Sequence, residues 1–195
     1  LYSSAASDVY KRQIHALLGN NRECIDALAQ MAAHHHAALE RARTLGDSSP
    51  SYSYTNWATA TLLLGIRQRK AVTERSVGLA TTGAQLLAAA RVDQDEDPDF
   101  WEALTPGDFC CLRLLAHAPA LSADGKALAA LTLDTQRAYR DAIARGASPR
   151  QVSSIREHLD FMISVLRGPA KPPARLAKIV TSLETVLAGL DEPPA

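Results

Sequence analysis

Three consecutive histidines, His34, His35 and His36, are the residues most suggestive of metal chemistry. Successive residues of a helix point about 100° apart, so three neighbours cannot converge on one ion, and ligands on one helix need i and i+4 spacing. His36 and Glu40 have that spacing but form a single pair. The sequence therefore predicts no metal site and a solvated helix face for the three histidines.

Nucleophilic catalysis is the second chemistry that the residue types raise. It needs an activated Ser, Cys or Thr beside an oriented base, and the sequence contains neither a Gly-x-Ser-x-Gly elbow nor a Cys in a Gly-rich turn. Cys111 and His158 could meet in space, but the apolar residues around Cys111 favour burial of its thiol. We therefore predict no catalytic residue and no enzyme activity in this chain.

Acid and base catalysis would need paired carboxylates, and four acidic residues in the second half of the chain invite that interpretation. They fall on the polar sides of predicted helices, where solvation is the ordinary explanation. These residues are Asp134, Asp141, Glu157 and Asp160. The glycines fit neither the Walker spacing nor the dinucleotide fingerprint, so we expect no ATP, no NAD and no other cofactor.

A cluster at the start of one predicted helix, Tyr52, Tyr54, Asn56 and Trp57, is the candidate partner-binding site. Aromatic side chains are rare in this chain, and three of them here would give a flat surface for a partner peptide. Asn56 could then bond the peptide backbone. The alternative is that the cluster packs one helical hairpin against the preceding one.

The composition predicts the elements that must carry these residues. Ala and Leu account for 35 and 26 of the 195 residues, while aromatic residues make up 5%. Ala and Leu are strong helix formers, and the β-branched and aromatic residues that strands prefer are scarce. The expected fold class is therefore all-α, with antiparallel helical hairpins stacked as an α-solenoid.

Charge and hydropathy exclude two classes of partner. The 21 basic and 21 acidic side chains balance, whereas nucleic-acid binders usually carry a basic excess. The cluster Arg67, Arg69 and Lys70 is read as a turn between helices and not as a DNA recognition helix. No stretch approaches the roughly 18 apolar residues that a membrane span needs. We therefore expect no nucleic-acid partner and no membrane partner.

Three cysteines, Cys24, Cys110 and Cys111, cannot form a disulfide framework, because their number is odd and neighbours on a helix point apart. Buried thiols in a reducing cytoplasm are the expected explanation. The expected localisation is therefore cytoplasmic.

The chain divides into a leader, a helical domain and a tail. Residues 8–13 resemble the translated end of a transposon-type sequencing adaptor, which implies a natural chain starting near Ile14 and a fragment of a longer protein. We expect residues 1–13 to be a non-native or disordered leader, residues 14–190 a helical repeat domain and residues 191–195 a frayed tail.

Gly and Pro punctuation places the helices and their ends. The strongest signal is Ser148, an N-cap that is followed by Pro149 and by Gln151 in a capping-box arrangement. The acidic stretch 93–98 is expected to be a solvated linker. The predicted helices cover residues 22–45 (ending at Gly46), 55–64 (ending at Gly65), 70–91, 99–104, 106–116, 123–145, 148–167 and about 176–190.

Two stretches resemble known repeat sequences. Leu18-Gly19-Asn20, followed by residues 23–28 and Met31, is similar to the inter-helix turn and second helix of a tetratricopeptide repeat. Residues 56–65, with Asp99-Phe100-Trp101, Thr105, Asp108 and Leu112, resemble the tetratricopeptide-like TRAFs-binding region of stress-kinase kinase kinases and its bacterial relatives. The similar stretch covers about residues 52–166. Pro106-Gly107 of this chain falls in a stretch that is normally one continuous helix in that family.

The resemblance implies a non-enzymatic scaffold or regulatory repeat region of a larger signalling or defence-type protein. It would bind a protein or peptide and could self-associate. The alternative is an all-α bundle that binds a small ligand or cofactor between its helices.

Overall fold

The computed structural model describes residues 10–11, 13–14, 18–45, 50–96, 100–117, 125–168 and 172–190. These residues contain no strand and are mostly helical, which confirms the predicted all-α class. The α-helices of this described part are α1 (Asn21–Leu45), α2 (Ser51–Arg67), α3 (Ala84–Glu96), α4 (Phe100–His117), α5 (Gly125–Ala144), α6 (Pro149–Arg167) and α7 (Ala174–Gly189). The tail 191–195, the predicted stop at Gly46 and residues 1–9 of the leader lie outside the described residues.

Helix α1 begins where the sequence predicts. The side-chain oxygen of Asn20 accepts hydrogen bonds from the backbone N–H groups of Arg22 and Glu23, at 3.2 and 3.3 Å. This N-cap satisfies two of the donors that the first turn leaves unpaired. Helix α1 packs along α2, with His36 beside Trp57, so the two form a hairpin.

Helix α2 is longer than predicted at both ends, since it starts at Ser51 and continues through Gly65 to Arg67. Gly65 does not end the helix because tertiary packing uses it: a Cβ there would lie 2.5 Å from Cγ2 of Val72. The turn follows immediately, as predicted for the basic cluster. Arg69 adopts a left-handed φ of 58°, and the N–H of Lys70 donates to the Gly65 carbonyl at 2.8 Å.

The single helix predicted over 70–91 is wrong. The chain instead forms a 3-10 helix (Glu74–Val77), a π-helical turn (Leu79–Gly83) and then α3. Gly78 separates the first two with a φ of 62°, a conformation that costs glycine little and that interrupts a right-handed helix.

Helix α3 also runs through residue 96, so most of the acidic stretch predicted as a linker is helical. The backbone pairing of a helix that has already started outweighs the weak local preference of Asp residues for other conformations.

Helix α4 replaces the two short helices predicted on either side of Thr105. It runs unbroken from Phe100 to His117 with Pro106 inside it, so Thr105 is not an N-cap. A proline in a helix interior removes one backbone hydrogen bond and costs roughly 3 kcal/mol. Gly107, the next residue, packs directly against the ring of Tyr139, and this burial of α4 on α5 offsets the cost.

The last two helices follow the sequence closely. Ser148 and Gln151 form the predicted capping box: Gln151 N–H donates to Ser148 Oγ at 3.3 Å, and Ser148 N–H donates to Gln151 Oε1 at 2.8 Å. Gly168 follows α6 with a φ of 56°. The apolar stripes of both helices are buried at Ile155, Leu159, Met162, Leu166, Ile179, Leu183 and Leu190.

Helices α2 and α4 lie at the centre of the packing. Helix α2 contacts α1, α4 and α6, and α4 contacts α3, α5 and α7. Helix α7 packs on α6, which precedes it, and also on α5. One continuous apolar core results, and it includes Ile14 from the residues before α1.

Candidate functional site

The predicted partner-binding cluster lies partly inside the protein. Tyr54 is fully buried and Asn56 nearly so, while Tyr52 and Trp57 are half-buried. Tyr52 and Asn56 have i, i+4 spacing on one side of α2, and Tyr54 and Trp57 have i, i+3 spacing on another, so the four do not share one flat face. Tyr54 and Asn56 therefore do not lie on a surface that a partner can reach, and partner binding by Tyr52 and Trp57 stays a prediction.

Tyr54 has a structural role at the junction of α2 with α4. Its ring stacks on Phe109, with centroids 5.5 Å apart, and its hydroxyl donates to the Val77 carbonyl at 2.9 Å. Burial raises the pKa of the Tyr54 phenol well above its ordinary value. Gly83 passes close by, since a Cβ there would lie 2.8 Å from the Tyr54 hydroxyl.

Asn56 makes a hydrogen bond within its own helix. Its side-chain amide donates to the Tyr52 carbonyl at 2.9 Å. Trp57 packs between His36 and Tyr54, with ring centroids at 5.3 and 5.8 Å. The packing alternative therefore describes most of the contacts in this cluster.

The histidine triplet corrects the prediction of a solvated face. His34 and His36 are exposed, but His35 is fully buried, with the Tyr52 ring 6.3 Å away. Burial, with smaller contributions from the charges of His34 and Lys11, lowers the pKa of His35 to about 4. Within the described chain, neither ring nitrogen of His35 has a hydrogen-bond partner. His35 lies on the buried face of α1. The sequence did not indicate this burial, because the residue is a histidine and not an apolar residue.

Cys111 is buried beside a tyrosine. Tyr139 donates from its hydroxyl to Asp108 Oδ1 at 2.8 Å and lies 3.3 Å from Cys111 Sγ. Burial raises the pKa of the Cys111 thiol, and the nearby charge of Asp108 raises it further. A thiol with a raised pKa is a poor nucleophile at neutral pH. The neighbouring groups that affect the pKa of the Cys111 thiol are Tyr139, Asp108 and Cys110. His158 is not one of them.

The four acidic residues considered for acid and base work, Asp134, Asp141, Glu157 and Asp160, are exposed, as the sequence predicts. Among the cysteines, Cys24 and Cys111 are buried and Cys110 is half-buried, and all three are free thiols. No group of three or more His, Cys, Asp or Glu side chains in the described ranges has the geometry of a metal site. The described helices also include none with the length and hydropathy of a membrane span.

A groove between α5 and α7 is a surface feature that sequence reasoning missed. Helices α5 and α7 run parallel here: Gln136 contacts Gly189, and each of these residues follows the groove wall on its own helix. The groove has a volume of about 580 Å³. Its walls are Gly125, Leu128, Ala129, Thr132 and Leu133 from α5, and Ala177, Lys178, Thr181, Ser182 and Thr185 from α7.

The floor of this α5–α7 groove is buried and its rim is open. Leu128, Thr132 and Ser182 are buried, whereas six of the ten wall residues are exposed. Thr132 donates its hydroxyl to the Leu128 carbonyl at 2.8 Å, so this hydrogen bond is made within α5. Leu133 is 58% exposed. In the sequence, the one indication of the groove is an apolar residue, Leu133, that lies outside the buried stripe of α5.

The residues just before α1 also pack on the protein. Residues 10–11 and 13–14 of the predicted leader and domain start are helical, and the Tyr10 ring lies 5.6 Å from the His34 ring. Lys11 is half-buried and its charge lowers the pKa values of His35 and His158.

The fold and the groove together define an all-α protein of helical hairpins with a solvent-open apolar groove. No protein-family model, curated protein or solved structure matches the chain. The resemblance to tetratricopeptide repeats and to the TRAFs-binding region stays a prediction that rests on the motif residues.

Proposed function

We propose that this chain is a non-enzymatic protein-interaction scaffold, the regulatory repeat region of a larger signalling or defence-type protein that acts in the cytoplasm. The observation that carries the proposal is the α5–α7 groove. It is apolar, it is open along its length, and it exposes Leu133 at its rim. Exposed apolar grooves of this kind mark protein-interaction sites more often than ordinary surface.

The proposed architecture is a tetratricopeptide-like solenoid, and the helix packing supports it in one respect. Helices α5 and α7 are the second members of two successive hairpins, and they pack in parallel. Stacked repeats bring equivalent helices side by side in this way. In a scaffold of this type many weak contacts along the stacked helices hold the partner. No covalent bond is made or broken.

The experiment that tests the scaffold function is a selection for binding segments. The purified chain, with its helicity verified by circular dichroism, is used to select from a displayed library of protein fragments. Selected segments are synthesised, and their affinities are measured by titration calorimetry against scrambled controls. We expect dissociation constants on the order of micromolar, as for transient interfaces. If no segment binds the folded chain better than its scrambled control, the scaffold function is rejected.

A second candidate is an all-α bundle that binds a small ligand between helices. It is favoured by the contact of α2 with α6, which joins the first hairpin to the third as bundle packing does. The groove volume of about 580 Å³ also falls within the usual range for ligand sites. A fluorescent apolar dye distinguishes the two candidates: a ligand site protects the dye from an aqueous quencher, whereas an open interaction groove leaves it accessible.

A further inference from the structure

We propose that the α5–α7 groove binds one amphipathic α-helix of a partner protein, with an acidic side chain of that helix at the end of the groove where Lys178 lies. This inference rests on the proposed scaffold function and deepens it by naming the surface and the chemistry of the partner. It is carried by three properties of the groove, which are its apolar lining, its length and its charge.

The apolar lining fits a hydrophobic helix face. Leu128 forms the floor and Leu133 stands on the rim with 58% of its surface exposed. The threonines add little polarity, since Thr132 and Thr185 donate their hydroxyls to carbonyls one turn earlier in their own helices, at 2.8 and 2.9 Å. Covering this surface removes apolar area from water, which is the main driving force of helix-in-groove binding.

The length of the groove matches two turns of helix. Its α5 wall extends from Gly125 to Leu133, which is about 12 Å at the helical rise per residue. A partner helix therefore places apolar side chains in the groove at positions i, i+3 or i+4, and i+7. Small residues on both walls, such as Ala129 and Ala177, allow a close approach of that helix.

The charge of the groove is positive at one end. Among the described wall residues Lys178 alone is ionisable, and Arg175 is exposed one turn before it on α7. Both lack an ion-pair partner among the described residues. Helices α5 and α7 also begin at this end, and the positive ends of their dipoles add to the same potential.

Among the described residues, the two acidic side chains that adjoin the groove walls in sequence are already paired. Asp134 lies 3.8 Å from Arg137 on the same helix, and Glu184 is paired with Arg167 of α6. An acidic group of a partner helix complements the positive charge of Lys178.

The openness of the groove favours a helix over a small ligand. A small-molecule site buries most of its ligand, whereas six of the ten wall residues here are exposed. A helix keeps its polar face in water while its apolar face fills such a groove.

The test uses two designed peptide probes and the full chain. Both peptides are fluorescein-labelled 14-residue helices with leucines at i, i+3, i+4 and i+7, and they differ in carrying glutamates or lysines at both ends. Fluorescence anisotropy measures their affinities at low salt. We expect the glutamate peptide to bind about threefold to tenfold more tightly than the lysine peptide, and K178E to reverse that order.

A matched pair of variants locates the binding. Leu133→Asp introduces a charge into the groove, and Leu45→Asp introduces the same charge at a leucine of α1 that is 71% exposed. We expect at least a tenfold loss of peptide affinity for Leu133→Asp and no change for Leu45→Asp. Both side chains are exposed, so both variants fold, and circular dichroism verifies this.

Four results overturn the inference. They are no binding of either peptide, equal affinities that K178E does not alter, equal losses from the two leucine variants, and self-association that Leu133→Asp abolishes, which would make a second copy the occupant. Hydrogen exchange separates this failure from that of the scaffold function. If selected segments bind and protect α1 or α2 instead of residues 125–133 and 177–185, the scaffold function stands and the groove inference is rejected.

Discussion

The Tyr139 hydroxyl on α5 donates a hydrogen bond to Asp108 Oδ1 on α4 at 2.8 Å, and this bond joins the two helices of one hairpin inside the core. The ring of Tyr139 packs flat over Gly107, the residue before Asp108. Burial raises the pKa of the Tyr139 phenol well above its ordinary value, so it acts as a donor at any physiological pH. The pair therefore fixes the register of α4 against α5.

Tyr139→Phe tests the strength of this bond. It removes the donor and leaves a partly buried carboxylate without its partner, so we expect the free energy of unfolding to fall by about 1–3 kcal/mol at pH 7.5. Urea unfolding followed by circular dichroism measures the change. A double-mutant cycle with Asp108→Ala isolates the pair. A coupling energy near zero would contradict a direct contribution from the bond.

Asp108→Asn tests the charge of the carboxyl. Burial raises the pKa of Asp108 from 3.8 to about 6, although the bond from Tyr139 opposes the shift. The folded state therefore binds this proton more tightly than the unfolded state. The contribution of Asp108 to stability is fully present below about pH 4 and is lost as the pH rises through 6.

The amide does not titrate and can still accept the bond from Tyr139. We expect Asp108→Asn to gain stability relative to the parent chain by about 1–2 kcal/mol more at pH 7.5 than at pH 4, after allowance for partial solvent exposure. Urea unfolding at both pH values gives the two differences. Equal differences would show that the buried carboxyl carries no such shift.

His35→Leu tests the buried imidazole. The pKa of His35 falls from 6.5 to about 4 in the folded protein, so the unfolded chain binds more protons between these values. Stability is full above pH 6.5 and declines as the pH falls toward 4, by up to about 3 kcal/mol for this group. We expect the leucine variant to be more stable at pH 7.5, because it removes two unpartnered ring nitrogens, and to decline less steeply with acid.

His36→Leu is the matched control, because His36 is adjacent and exposed. It makes the same His-to-Leu change outside the core, so a change of slope found for His35→Leu alone belongs to the buried ring. Identical slopes for the parent chain and His35→Leu would refute the assignment of acid sensitivity to His35.

Gly107→Ala tests the close packing that accompanies the internal proline of α4. A Cβ at this position would lie 2.5 Å from Cδ1 of Tyr139, which forces the ring or the helix to move. We expect a loss of about 1–3 kcal/mol. Gly125→Ala is the control, since a Cβ there meets no atom within 4 Å, and we expect it to be neutral or slightly stabilising. Thermal unfolding compares the two, and similar melting temperatures would contradict the tight packing.

The sequence by itself determined the helical class and the helices with strong local signals. The capping box at Ser148 and Gln151 and the stripes of α6 and α7 appear in the structure as predicted, because capping and period depend on residues within one or two turns. The turn Leu18-Gly19-Asn20 before α1 also lies where the sequence predicts it, and the structure adds that Asn20 caps the helix. Burial of Cys111 was predicted from its apolar neighbours and burial of Cys24 from the usual behaviour of free thiols, whereas Cys110, also expected to be buried, is half-buried.

Only the tertiary structure decided the positions where a local preference is overruled. Helix α4 continues through Pro106, and Tyr139 packs against the next residue, Gly107. Helix α2 continues through Gly65, and Val72 packs against that glycine. Local helix propensity encodes neither contact. His35 is buried because α1 presents that face to the core, whatever residue occupies it. The α5–α7 groove depends on wall residues of two helices that are more than forty positions apart in the chain, such as Leu133 and Ala177. Such contacts form because burying one shared core lowers the free energy of the folded chain. That free energy depends on residues far apart in sequence, so local sequence patterns do not predict it.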